Sequence, residues 1–215
     1  MTTSALQPEV ETRQWYEDKV RRFGYDHRGL GFRTRSSQER RFAALVEHDD
    51  FNGRMVLDVG CGFGDLLAFL RDRGVKPIYT GLDICGPMIA RCRQRFSTSS
   101  GIFCVGDVLE FKPPSTYDFV VASGIFGLAA RDAAERIRPT LERMFRWCRI
   151  GMAVNFLSVR SPKKVENRVY VDPCEALGWG LALTPAASID HTYLPNDFTL
   201  RLRRTPAWTE PGGAR

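Results

Sequence analysis

Apolar and polar residues follow two rhythms along this chain, and the rhythms take turns. Short apolar runs predict strands at Met55–Val59, Pro77–Asp83, Gly101–Val105, Tyr117–Ala122 and Ile150–Val159. Between them apolar residues recur at helical spacing. Leu66, Leu67, Phe69 and Leu70 predict a helix from Asp65 to Arg73, which Gly74 stops. Met88, Ile89 and Cys92 predict a second, opened by Pro87. Leu141, Met144, Phe145 and Trp147 predict a third, begun at Asp132 and pausing at Pro139. Strands that alternate with helices imply right-handed crossovers and a parallel sheet.

The two ends of the chain read differently. Trp15, Lys19/Val20 and Phe23 predict an amphipathic helix from Glu11 to Phe23, followed by a loop broken by Gly24, Gly29 and Gly31. A second helix, capped by Ser36 or Ser37, carries Arg40 and Arg41 on one face and Phe42, Leu45 and Val46 on another. Asn52-Gly53 then turns into the first strand. Toward the other end, Ser161–Arg168 reads as a polar, basic surface loop, and Asp172-Pro173 caps a helix to about Leu183. Ile189–Leu194 and Phe198–Arg203 alternate around Pro195-Asn196 and predict a closing antiparallel hairpin.

The stretch Val56-Leu57-Asp58-Val59-Gly60-Cys61-Gly62-Phe63-Gly64 joins a strand to a helix through a glycine turn. A helix N-terminus offers unpaired N–H groups and a positive dipole end. The spacing is G-x-G-x-G, not the G-x-G-x-x-G of nicotinamide sites, and no Lys-Ser or Lys-Thr of a phosphate-gripping loop follows. These residues resemble motif I of the class I S-adenosylmethionine (SAM) dependent methyltransferases, small bacterial small-molecule enzymes among them. The resemblance covers about residues 40–205 and implies an α/β fold. That fold is a doubly wound, mostly parallel seven-stranded sheet with a C-terminal antiparallel hairpin, here with an N-terminal helical lid. Residues 1–10 and 206–215 are then disordered tails, 11–50 the lid, and 51–205 the SAM-binding domain.

The resemblance also implies roles. Gly60, Cys61, Gly62 and Gly64 would approach the methionine half of SAM, and Asp58 its ammonium. Asp83 lies about twenty residues beyond the loop, the offset at which an acid meets a ribose diol; a helix cap is its alternative role. Ile84 would pack on the adenine, Asp107 accept from its amino group, and Val108 reach the ring through its N–H. Ser123 follows the fourth strand, where cofactor and acceptor meet. Arg41 would pair with the SAM carboxylate or stand solvated. Candidate general bases are His191, Tyr25 and His27, with Tyr16, Tyr193 and Asn155 behind them; structural roles compete for each.

The loop after the fourth strand reads Ala122-Ser123-Gly124-Ile125-Phe126. It lacks the Asn/Asp-Pro-Pro-Tyr/Phe of methyltransferases acting on DNA bases, the metal-binding acid of catechol O-methyltransferases and the paired glutamates of protein arginine methyltransferases. His27, His48 and His191 have no metal-ligand spacing. A metal-independent transfer to an O or N atom of a small metabolite is expected, with S-adenosylhomocysteine (SAH) as product. Methylation of RNA or protein, or SAM binding without turnover, is the alternative.

Composition changes this picture little. The 215 residues, 43% of them hydrophobic, suffice for one domain with a full core. The net charge of +6 is spread over several segments, so it reads as a solvated surface and not as a nucleic-acid interface. Six cysteines without a C-x-x-C pair read as reduced thiols. No signal peptide is read at the N-terminus, and no run reaches the ~18 apolar residues a membrane helix needs. A cytoplasmic monomer or homodimer is expected.

Overall fold

The structure, a computed structural model, describes residues 8–26, 28, 30, 34–96, 101–129 and 133–204. Seven strands form one sheet: β1 (Met55–Val59), β2 (Ile78–Asp83), β3 (Ile102–Val105), β4 (Tyr117–Ala122), β5 (Cys148–Leu157), β6 (Ala187–Leu194) and β7 (Asp197–Arg203). Their order is β3-β2-β1-β4-β5-β7-β6. The first five run parallel, and β7 inserts antiparallel between β5 and β6. The helices are α1 (Pro8–Phe23), α2 (Arg35–Val46), α3 (Asp65–Arg71), α4 (Gly86–Arg95), α5 (Ala133–Trp147) and α6 (Pro173–Leu181).

The strand period of two sorts apolar side chains onto two faces. Leu57, Val59, Val120, Ala122, Met152 and Val154 pack with Leu141 and Met144 of α5. Val56, Phe119 and Val121 pack on the other face with Leu66 and Leu70 of α3 and Ile89 of α4. The sheet is therefore covered on both sides. Strand order reverses between β1 and β4, which opens a crevice at their carboxyl ends.

Several boundaries differ from expectation for local reasons. α1 begins at Pro8 and not Glu11; proline suits a first helical turn, where no N–H is needed. α2 is capped by Thr34, whose side chain accepts from Ser37 N–H at 3.1 Å, so Ser36 and Ser37 lie inside the helix. α5 runs through Pro139 without a pause, because Ile137, Leu141, Met144 and Phe145 bury one face while Pro139 lies exposed. β5 begins at Cys148, directly after α5. Asp132 and residues 1–7 and 205–215 lie outside the described residues.

Half of the N-terminal cover is fastened to the sheet. Phe42, Ala44 and Leu45 of α2 are buried. Arg41 Nε and Nη2 donate to the two oxygens of Asp197 on β7 at 2.8 and 2.7 Å. Arg201 donates to the Leu45 and Ala44 carbonyls, and Arg203 to Asp49 Oδ1 at 2.6 Å. Among the described residues no helix is long and apolar enough to cross a membrane.

The Arg41–Asp197 pair is buried on both sides. Asp197→Ala strips the carboxylate from a buried guanidinium and should destabilise the fold by about 3–5 kcal/mol, measured by urea unfolding. The double change Arg41→Met, Asp197→Leu should cost clearly less than Asp197→Ala alone.

Candidate active site

The turn after β1 hangs from β2. Gly60 N–H and Cys61 N–H both donate to the Leu82 carbonyl, at 2.7 and 3.1 Å. Gly62 N–H donates to Asp83 Oδ2 at 2.8 Å, and Cys85 N–H, at the start of α4, donates to Asp83 Oδ1 at 2.8 Å. One buried carboxylate thus ties the glycine turn to the next helix. Gly60 and Gly62 take left-handed backbone angles, φ 73° and 55°. A Cβ on Gly60 would lie 2.2 Å from Ile125 Cγ2, and one on Gly62 2.6 Å from Leu30 Cδ2.

A cavity of about 240 Å³ opens over this turn. Of the residues singled out in the sequence, Asp58, Gly60, Cys61, Gly62, Asp83, Ile84, Asp107, Val108, Ser123 and Arg41 line it, as do Tyr16 and Asn155. Three do not. Gly64 is the N-cap of α3, and its Cα faces Phe96 and Phe103. Tyr25 donates to Asp65 Oδ1 at 3.0 Å and stacks edge-on against Phe63, on the far side of the turn. His191 lies on edge strand β6, further from the carboxyl edge than Tyr193, with its ring 6.2 Å from that of Phe198. His27 lies outside the described residues.

A methyltransferase-domain family model matches residues 56–151, the span from β1 into β5. A Mycobacterium tuberculosis protein described as a methyltransferase is 28% identical over 156 residues, 68% of this chain and 91% of that protein. The malonyl-[acyl-carrier protein] O-methyltransferase of Acetivibrio thermocellus is 38% identical over 82 residues, 38% of this chain and 29% of its own. Magnesium protoporphyrin IX methyltransferase from Synechocystis, solved with bound SAM, superposes with a TM-score of 0.70 at 16% identity, covering 95% of this chain and all of that one. Residues 56–151 thus match a methyltransferase domain, and the chain shares the fold of the SAM-bound Synechocystis enzyme.

SAM is bound in the Synechocystis structure, and the residues lining this cavity fit it. Gly60 and Gly62 leave bare backbone where a side chain would fill the cradle, and two buried acids face the same space. Burial pushes the Asp58 carboxyl up to about 7, against the opposing effect of the hydrogen bond from Tyr79 O–H. Burial also raises Asp83, while backbone N–H groups of Cys85, Gly62 and Ile84 pull it down. Burial, with Asp83 nearby, pushes the Tyr16 hydroxyl up to about 12.

Other lining groups hold one another. Asp107 Oδ2 accepts from Arg136 at 2.5 Å and its Oδ1 from Leu109 N–H at 2.7 Å. Ser123 Oγ donates to Asn155 Oδ1 at 2.8 Å, and Asn155 Nδ2 donates to Thr199 Oγ1 at 2.8 Å and to Tyr193 Oη at 3.2 Å. Sequence reasoning missed Gln38, Arg136, Phe156, Arg168 and Asp197, all of which line the cavity. A signal existed for Gln38, which lies three and four residues before Arg41 and Phe42 and so shares their helix face. The basic loop was expected at the surface, yet Arg168 reaches the cavity.

Asp58 generates a pH prediction. The native state keeps its proton up to about pH 7, whereas the unfolded chain loses it near 3.8. The native state therefore binds more protons between those values, and stability falls as pH rises from about 4 to 7, then levels off. At about 1.4 kcal/mol per unit the swing is of the order of 4 kcal/mol. Asp58→Asn should flatten it, raising stability at pH 8 more than at pH 4.5, as followed by urea unfolding.

Proposed function

We propose that this methyltransferase moves the SAM methyl group to an O or N atom of a small-molecule acceptor, without a metal. One observation carries the reading: a cavity runs from the glycine turn across the carboxyl ends of the five parallel strands to the start of β7. Its β1-β2-β3 side holds the groups suited to SAM, and its β4-β5-β7 side is left for an acceptor. The relative named for O-methyl transfer to malonyl-[acyl-carrier protein] supports an oxygen acceptor on a small acyl group. SAM supplies a methyl group on a positively charged sulfur, open to in-line displacement by an acceptor lone pair.

The chain's own part is binding, orientation and exclusion of water. Gly60–Gly62 present backbone to the methionine portion and Asp58 meets the ammonium. Asp83 accepts from the ribose hydroxyls with the lone pairs its two backbone donors leave. Ile84, Val108 and Asp107 hold the adenine, and Arg136 keeps Asp107 in place. Ser123, fixed by Asn155, sits where the two halves of the cavity meet. Arg41 keeps its guanidinium on Asp197, so its place is the wall and not the SAM carboxylate. α1, which contributes Tyr16, is the movable part of the cover; α2 is not.

No side chain is assigned as general base. Tyr16 stays protonated at neutral pH with its hydroxyl pushed up to about 12. Asp107 and Asp197 are held in ion pairs. The nucleophilicity then comes from the acceptor.

Calorimetry should find SAH binding in the micromolar range, roughly −8 kcal/mol. Asp83→Asn should weaken it by about 1–3 kcal/mol through loss of an acceptor in a buried site. Radiolabel from SAM, offered to cell extract fractionated by size, should enter the small-molecule fraction equally with and without EDTA. Label in RNA or protein alone, or a loss with EDTA restored by Mg²⁺, would defeat the assignment.

A further inference from the structure

Three arginines line the cavity: Arg41, Arg136 and Arg168. Arg41 is paired with Asp197 and Arg136 with Asp107. Arg168 has no carboxylate partner among the described residues; its guanidinium lies over the Trp15 ring of α1, 5.4 Å from the centroid. Stacking on a ring face leaves the in-plane N–H donors of a guanidinium directed outward, in the fork that matches a carboxylate. A charge at the wall of a largely apolar cavity is stabilised by an opposite charge entering with a ligand.

The backbone fixes where that charge acts. Ala129 N–H donates to the Asn167 carbonyl at 3.1 Å, and Val169 N–H to the Gly127 carbonyl at 3.4 Å. Leu128 and Arg168 form an antiparallel bridge between them. Asn167 takes φ 58°, a turn that asparagine tolerates, immediately before Arg168. Arg168 is thereby stitched to the segment that follows β4, on the acceptor side of the cavity. The same cavity is also lined by the apolar Ile125, Phe126, Leu128, Phe156 and Leu157.

We propose that Arg168, stacked on Trp15, anchors a carboxylate of the methyl acceptor, so that the acceptor is an acid with an apolar body. This rests on the proposed small-molecule function and narrows it. SAM carries a carboxylate too, so the test separates the two sources of the anion.

The full chain, loaded with SAH, is titrated calorimetrically with decanoate, 3-phenylpropionate and their neutral amides. At least one acid should bind more tightly than its amide by about ten- to a hundredfold, the range for one charge-assisted hydrogen bond. Arg168→Met should erase that difference, and Arg168→Lys should restore part of it. SAH and 5′-methylthioadenosine, which lacks the amino-acid carboxylate, should bind Arg168→Met as they bind the parent. If Arg168→Met weakens SAH but not 5′-methylthioadenosine, the anion is the cofactor's own and the proposal is wrong. Acids that bind no better than amides, to a parent that binds SAH normally, would overturn it equally. Label transfer to neutral small molecules alone would also overturn it while leaving the proposed function standing.

Discussion

The site depends on one carboxylate held by backbone. Asp83 ends β2 and accepts from the glycine turn on one oxygen and from the start of α4 on the other. The turn and α4, which also meet where Cys92 and Arg95 donate to the Gly62 and Phe63 carbonyls, are thus set at a fixed distance. The same tie decides how two neighbouring buried acids share charge. Asp58 lies one strand over, paired in register with Gly81, and the two carboxyl groups raise each other's cost of ionisation. Asp83 has several backbone N–H donors for its charge, whereas Asp58 has the single hydroxyl of Tyr79. Burial raises both carboxyls, and Asp58, with a hydroxyl where Asp83 has backbone N–H groups, is pushed up to about 7.

Closure over the turn divides between a rigid and a looser part. α2 is bound to β7 by three arginines whose partners lie more than 150 residues away in sequence. α1 has no such ties to the sheet. It meets the body through Tyr16 and Val20, packed against the small cluster of Phe63, Cys85 and Met88, and through the stacking of Trp15 on Arg168. These are contacts that a shift of α1 can make and break one at a time.

The sheet was legible because its signals are local. Each parallel strand is a short apolar run with a breaker on either side, and the final hairpin is announced by Pro195-Asn196. The residues that line the cavity at the ends of β1, β2 and β3 were legible for the same reason: they follow strand ends at fixed offsets. What could not be read depends on partners far apart in the chain. Arg41 looked free to meet a ligand because nothing near it in sequence foretells Asp197. His191 has suitable chemistry, but its position along an edge strand is set by the register of β6 on β7, which is shifted between Asp190 and Leu194. Gly64 looked like a third cradle glycine, yet its space is occupied by Phe96 from the end of α4. Pro139 looked like a break, and burial of α5 along its whole apolar face overrode it.

This split between local and distant signals has a physical counterpart in what each half of the cavity must support. The β1-β2-β3 side of the cavity is made from the central sheet itself, so a substitution there disturbs it. On the side proposed for the acceptor, residues of β5 and β7 are joined by the segment after β4 and by Arg168, which lie outside the sheet. The segment after β4 and the loop that carries Arg168 are joined by two backbone hydrogen bonds, one of 3.1 Å and one of 3.4 Å. That stitch lies outside the sheet, so under the proposed function this wall can change while the glycine turn keeps its place. It follows that a residue such as Arg168, which a loop places in the cavity wall with no carboxylate partner among the described residues, bears on the proposed acceptor more than the residues of the glycine turn do.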